Sequence, residues 1–265
     1  MIAHPLHDPV SNLMRQVGET VLLRHFRKLS DEQIEEKSPG DPVTIADRES
    51  EKRLAAGLAG LLPAASIVGE EAVAADPAVM DRLGDGLCWI IDPIDGTANY
   101  AEGRSPFGIL IALAEAGETV AGWIFDPMTK RLCHAHLGHG ASIDGETILA
   151  RPSGETPPIA AISTLFLDDE RRRDVIAKLE GRYRTVDIPR CAAEQYPRLA
   201  LGTNDVSLFE RTLAWDHAAG ALFLNEAGGK AARPDGSTYR VDDRRTGLIG
   251  AASPRLWDEA AAIFG

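Results

Sequence analysis

Apolar residues recur at helical spacing near the start of the chain and then give way to short, continuous apolar runs. Val10, Leu13, Met14, Val17 and Val21 mark one face of a helix that should begin near Asp8-Pro9, an acid placed to cap and a proline suited to the first turn. Ser38-Pro39-Gly40-Asp41-Pro42 breaks the pattern and predicts a loop free to move. A second helix follows Asp47, with Leu54, Leu58, Leu61 and Leu62 on its buried side and Pro63 as its stop. Ser66-Ile67-Val68-Gly69 and Trp89-Ile90-Ile91 read as short buried strands. Phe107 to Leu113, Thr119 to Phe125 and Arg131 to His136 are separated by turn residues, which predicts an antiparallel meander. The second half alternates strand with helix. Ile159 to Ser163 precedes a polar helix from about Asp168, and Arg184 to Ile188 precedes a helix over Glu194 to Leu201. Val206 to Phe209 then leads to a long Ala-rich helix, entered at Trp215-Asp216 and closed at Glu226-Ala227-Gly228-Gly229. This pattern gives a mixed α and β fold of two or more layers, with no internal repeat.

Composition narrows the function classes. A chain of 265 residues can form one large or two small domains and a core that needs no covalent staples. Its formal net charge of −12 argues against a nucleic-acid polymer as partner, because such binding relies on Lys and Arg neutralising phosphates. An anionic small molecule stays open, since bound cations reverse the local field of an acidic site. No apolar stretch is long enough to cross a bilayer and the N-terminus lacks a signal-peptide pattern, so a cytoplasmic setting without a membrane partner is expected. Cys88, Cys133 and Cys191 form neither a metal-ligand spacing nor a disulfide framework.

The chemistry concentrates in carboxylates at the ends of apolar runs. Trp89-Ile90-Ile91 ends in Asp92-Pro93-Ile94-Asp95-Gly96-Thr97, two acids that Pro93 can turn toward one point. Buried acids need compensation, and hard oxygen donors suit Mg2+ rather than zinc. An Asx turn capping a helix is the alternative reading of the same residues. Glu70 and Glu71 end another apolar run, Asp41 and Asp47 flank the start of the second helix, and Asp216 opens the Ala-rich one. His134, His136 and His139 could suggest zinc but lack a nearby fourth ligand, and Arg171-Arg172-Arg173 reads as a solvated helix face.

Taken in order, D-x-V-T-x-A-D at 41–47, G-E-E at 69–71, D-P-I-D-G-T at 92–97 and W-D-x-A-A-G at 215–220 resemble the inositol monophosphatase family of Mg2+-dependent, lithium-sensitive phosphatases. The resemblance runs from about Asp41 to the final helix. It implies an α+β fold, an α-β-α-β-α layered sandwich, with residues 1–145 as an N-terminal α+β subdomain carrying most metal ligands. Residues 146–265 would form a C-terminal α/β subdomain carrying Asp216 and the substrate-side loop. The implied activity is hydrolysis of a small phosphorylated polyol, sugar or related metabolite, with inositol monophosphate foremost. Histidinol phosphate, fructose 1,6-bisphosphate and 3′-phosphoadenosine phosphates are alternatives, and an inactive regulatory protein on the same fold is a rival of another class.

The resemblance also implies roles and partners. Two or three Mg2+ ions are expected, with Mn2+ able to substitute, and a homodimer as the assembly. Asp92 would bridge two ions, one completed by Glu70 and the Ile94 carbonyl, the other by Asp95 and Asp216. Thr97, held by Asp47, would activate water with help from Glu70. Asp95, Gly96, Thr97, Ala192, Glu210 and Asp216 would contact substrate. Two departures stand out. Where the family reads G-S-A-A or G-T-A-A, this chain reads Arg190-Cys191-Ala192-Ala193, and Phe209 occupies the position of an acid that contacts a sugar hydroxyl, with Glu210 one residue on.

Overall fold

A computed structural model describes residues 1–38, 40–164 and 167–265. Helix α1 (His7–Val17) forms as its apolar face predicts, burying Val10, Met14 and Val17. Leu6 rather than Asp8 takes the cap position, without a side-chain cap bond, so Asp8 lies in the first turn, where a negative charge suits the helix dipole. The helix continues through a π-helical turn, Gly18–Leu22, into α2 (Leu23–His25). In place of the expected loop at 38–42, β1 (Ile34–Ser38) and β2 (Asp41–Thr44) pair as an antiparallel hairpin, with Pro39 outside the described residues. Gly40, at φ 78°, supplies the left-handed residue that such a tight reversal needs.

Helix α3 (Ile45–Leu61) opens at a capping box that the sequence reading missed. The Thr44 hydroxyl accepts from the Ala46 amide at 3.1 Å, while Asp47 Oδ2 accepts from the Thr44 amide at 2.8 Å. Leu54 and Leu58 are fully buried on it, each contributing roughly 1.5–3 kcal/mol of apolar transfer. Strand β3 (Ser66–Gly69) feeds directly into α4 (Glu70–Ala75), and a 3-10 segment, Pro77–Gly84, leads to β4 (Leu87–Asp95). Strand β4 does not stop at Asp92. It runs on through Pro93, and its register against the next strand slips between Asp92 and Asp95, so a bulge does the turning expected of the proline.

After the short helix α5 (Thr97–Ala101), the meander forms as β5 (Gly108–Glu115), β6 (Glu118–Phe125) and β7 (Leu132–His136). It extends through β8 (Gly140–Ile143) and β9 (Glu146–Ile148), giving a seven-stranded sheet in the order β3-β4-β5-β6-β7-β8-β9. The second half contributes β10 (Ile159–Ile162), α6 (Asp169–Leu179), β11 (Arg184–Thr185), α7 (Ala192–Ala200), β12 (Val206–Phe209) and α8 (Ala214–Glu226). It closes with β13 (Lys230–Ala232), β14 (Leu248–Ala251) and α9 (Pro254–Phe264), in a five-stranded sheet ordered β11-β10-β12-β14-β13. The expected strand over 184–188 is two residues long, because the chain leaves the sheet edge and carries Ile188 and Pro189 into a cleft.

Five layers result. Val10, Met14, Leu54 and Leu58 of α1 and α3 pack on Trp89, Ile91, Ile111 and Trp123 of the large sheet. Its opposite face presents Ile90, Leu110 and Ile124 to Tyr196, Ala218 and Ala219 of α7 and α8. Nearly every residue of α8 is buried, as a helix enclosed between two sheets must be. Val206, Leu208 and Ile249 of the small sheet then meet Val175, Leu179, Leu256 and Trp257 of α6 and α9. This is the α-β-α-β-α sandwich. Pro197 inside α7 leaves the Ala193 carbonyl without its helical donor, and Arg131, just before β7, approaches that oxygen at 3.4 Å while pairing with Glu194 at 2.6 Å.

Candidate active site

The ends of β3, β4, β10 and β12 and the starts of α5, α7 and α8 open onto one cleft. Glu70, Asp92, Ile94, Asp95, Gly96, Thr97, Ala192, Glu210 and Asp216 all line it, so the structure brings together every expected metal and substrate residue. Asp47, expected in catalysis, stands behind the wall against Thr97. Asp41 lines the cleft from the hairpin, and both Phe209 and Glu210 face it.

Local geometry explains each placement. The Asx turn does form, with Asp92 Oδ1 accepting from the Ile94 amide at 3.0 Å, and it fixes a carboxylate that is 2% exposed. Gly96 has φ 83°, and a Cβ there would meet the Pro106 carbonyl at 3.0 Å and Cys191 Cβ at 3.2 Å. The Thr97 hydroxyl lies 2.7 Å from the Ile94 carbonyl and 3.2 Å from Asp47 Oδ1. Asp47 Oδ2 is taken by the amide and hydroxyl of Thr44, at 2.8 and 2.6 Å. Asp95 Oδ2 accepts from the Ala193 amide at 2.6 Å and from the Cys191 thiol at 3.0 Å. Cys191, at the position of the family's hydroxyl residue, therefore acts as a donor to the acid.

Sequence reasoning missed two further contributors. Lys37 Nζ donates to Glu70 Oε1 at 2.6 Å and to Glu71 Oε1 at 3.0 Å, a contact across more than thirty residues that no local spacing announces. Glu51 accepts from the Glu71 and Ala72 amides, both at 2.8 Å, and so caps α4 from α3. Its signal was available, since Glu51 lies one turn after Asp47 and three residues before Leu54, on the buried face.

Crowded acids set the electrostatics. Burial, then repulsion from Glu70, Asp95 and Asp216, holds the Asp92 carboxyl well above the usual carboxylate range. Burial followed by Glu70 does the same to Asp216. Asp95 is raised by burial, with the Ala193 amide and Cys191 thiol acting against it. Burial pushes Asp47 and Glu51 each up to about 7 despite their backbone bonds. Burial and the facing Asp95 push the Cys191 thiol well up, which keeps it a proton donor. For Lys37 burial works against the charged form, and the two glutamates outweigh it and raise the ammonium.

Among the described residues, no three Asp, Glu, His or Cys side chains close on one point tightly enough to grip an ion as they stand. Two of the acids are held by protein donors, Glu70 by Lys37 and Asp95 by the Ala193 amide and the Cys191 thiol. The donor set nonetheless fits Mg2+. Four carboxylates and the Ile94 carbonyl are hard oxygens, and the raised Asp92, Asp95 and Asp216 carboxyls mark a charge excess that a dication relieves.

The histidines are occupied elsewhere. His217 accepts from the Tyr196 hydroxyl at 2.8 Å through Nδ1 and lies 3.0 Å from the Arg211 carbonyl through Nε2, and burial lowers it to about 4. It supports an aromatic wall in which Phe209 stacks on Tyr196 at 5.3 Å. His134 is buried beside Trp123, with Nδ1 2.9 Å from the Gly122 carbonyl, while His136 and His139 pack on each other at 4.2 Å.

Comparison with known proteins follows the same lines. The profile of the inositol monophosphatase family matches residues 5–264. An inositol-1-monophosphatase of Bacillus subtilis is 36% identical over 248 residues, covering 91% of this chain and 89% of that protein. A fructose-1,6-bisphosphatase/inositol-1-monophosphatase of Thermotoga maritima is 30% identical over 218 residues, 82% of this chain and 80% of its own length. Among solved structures, the extragenic suppressor protein suhB of Bartonella henselae superposes with a TM-score of 0.83 at 23% identity, covering 98% of both chains. SaIMPase-II with inositol monophosphate bound gives a TM-score of 0.80 at 21% identity, covering 98% of this chain and 94% of the other. At those identities the structural likeness is one of fold.

Proposed function

This chain belongs to the inositol monophosphatase family and is a phosphoric monoester hydrolase, and we propose that it hydrolyses small phosphorylated polyols and sugars, inositol monophosphate among them. The observation that carries the proposal is the convergence of Glu70, Asp92, Asp95 and Asp216, from three separate stretches of chain, on one cleft backed by the Asp47–Thr97 pair. The family is Mg2+-dependent. Glu70, Asp92, Asp95, Asp216 and the Ile94 carbonyl would hold two or three ions, with Mn2+ able to substitute. Bound there, the metal supplies Lewis-acid neutralisation of the phosphoryl oxygens and of the departing alkoxide.

The protein's own groups do the rest. Asp47 is fixed by Thr44 and faces the Thr97 hydroxyl. The attacking water passes its proton to Thr97 Oγ1 as that hydroxyl passes its own to Asp47 Oδ1, a carboxyl whose burial favours holding a proton. Glu70 assists in aligning the water. Gly96, Thr97 and Ala192 would shape the phosphate end and Asp95, Glu210 and Asp216 would meet the rest of the substrate; all six line the cleft. The test is phosphate release from inositol monophosphate. Turnover is expected with Mg2+, lost on chelation, restored by Mg2+ and sustained in part by Mn2+; turnover indifferent to chelator would overturn the proposal.

A further inference from the structure

We propose that Arg190 reads a second anionic group on the alcohol side of the substrate, so that the preferred substrate is a phosphate monoester whose alcohol itself carries a phosphate or a carboxylate. This rests on the hydrolase reading above and adds a substrate class to it. Arg190 has φ 53°, in the left-handed region that favours glycine. The turn has a clear use. Asn99 Nδ2 donates to the Pro189 carbonyl at 3.0 Å on one side of it, and on the other Cys191 and Ala193 fold back onto Asp95. Glycine would make the same turn without strain, and glycine is the residue the family pattern carries there. What arginine adds is its side chain. That side chain is exposed and lines the cleft, and among the described residues no hydrogen bond or ion pair holds its guanidinium. A strained backbone carrying an uncommitted charge at a cleft mouth points to a ligand rather than to the fold.

The cleft has also lost one acceptor for a neutral hydroxyl. Phe209 stands where an acid would accept from a sugar, and it is stacked on Tyr196 with no acceptor to offer. Ile188 and Pro189 add apolar surface to the same cleft. Two guanidiniums line the cleft, those of Arg190 and Arg211. Arg211 lies 3.9 Å from Asp216, one of the acids proposed to hold metal, which leaves Arg190 as the guanidinium without an acid beside it among the described residues. A guanidinium offers paired donors that match a phosphate or carboxylate edge to edge.

The test compares kcat/KM with Mg2+ for inositol 1-phosphate, fructose 1,6-bisphosphate and 6-phosphogluconate, which carry respectively no second anion, a phosphate and a carboxylate. At least one doubly anionic substrate is expected to exceed inositol 1-phosphate by about tenfold, and whichever does so identifies the group read. Arg190→Gly suits the left-handed backbone and should fold. It is expected to lower that ratio about tenfold, with Arg190→Lys in between because it keeps the charge and loses the fork. A wild-type preference for inositol 1-phosphate, or a ratio unmoved by Arg190→Gly, overturns this inference alone. Absence of phosphate release from all three overturns the hydrolase reading together with it.

Discussion

The Asp47 carboxylate divides its oxygens between two tasks, with Oδ2 anchored to Thr44 and Oδ1 facing the Thr97 hydroxyl at 3.2 Å. Thr97→Val keeps the shape and removes the proton relay. Both kcat and kcat/KM should fall by about 10²–10⁴ with KM little changed, as expected for a group that acts in the transition state. Steady-state kinetics on inositol monophosphate would check this, and an effect confined to KM would show that Thr97 only holds the bound phosphate. Asp92 carries the other residue-scale test. It is the most enclosed of the four acids proposed to bind metal, and Asp92→Asn removes charge where ligand charge sets affinity. Turnover should drop below a tenth, about 1.4 kcal/mol of barrier, while circular dichroism stays unchanged. A variant that keeps more activity than that would remove Asp92 from the set proposed to hold metal.

Among the elements, α4 is the clearest case of a part held from outside. Six residues are too few for a helix to stand alone, and its first amides are capped by Glu51 of α3. Gly69 must be glycine for the same reason, since the Glu51 carboxylate occupies the space a Cβ would take. Glu51→Ala leaves two part-buried donors unpaired, at up to about 1–3 kcal/mol each. Because Glu70 opens that helix, both the melting temperature and the apparent Mg2+ affinity should fall, as thermal melts across a Mg2+ titration would show. A lower melting temperature with unchanged Mg2+ affinity would mean that packing alone positions Glu70. Helices α7 and α8 are matched through a similar close approach, where Gly220 leaves room for the Tyr196 ring whose hydroxyl reaches His217.

The whole molecule should couple metal, protons and stability. Asp47 and Glu51 are raised to about 7, and Asp92, Asp95 and Asp216 shift the same way, so the folded state binds more protons than the unfolded one across the range between ordinary carboxylate values and about 7. Without metal, stability contributed by these groups is therefore present at low pH and lost as pH rises through about 7. Mg2+ competes for the same oxygens. The rise in melting temperature on adding Mg2+ should be largest above pH 7 and shrink toward pH 5, and a rise independent of pH would contradict the crowded-acid account. At the same scale we propose a homodimer, the commonest closed assembly. Exposed Met1, Ile2 and Leu137 lie near one another, with the Ile2 amide bonded to the His139 carbonyl, and offer an apolar patch for it. Light scattering at the mass of one 28.5 kDa chain at micromolar concentration would refute the dimer.

The sequence by itself determined the elements that have a strong period and the acids that sit at their ends. The apolar face of α1, the β5 to β7 meander and the ordered motifs around Asp47, Glu70, Asp92 and Asp216 are all local patterns, and local patterns survive in one dimension. The hairpin at 34–44 was hidden because its strands are stabilised by each other and not by alternation. Strand β4 outran its expected end because a bulge admits the proline that pattern reading takes as a stop. Only the tertiary structure decided who holds whom: Lys37 on Glu70, Glu51 on α4, Cys191 on Asp95 and Phe209 on Tyr196 each join residues far apart in the chain or in different elements. Side-chain chemistry can be read from a sequence. The distance at which one charge meets another is set by the packing of five layers, and that packing fixes both the raised carboxyls and the uncommitted guanidinium of Arg190.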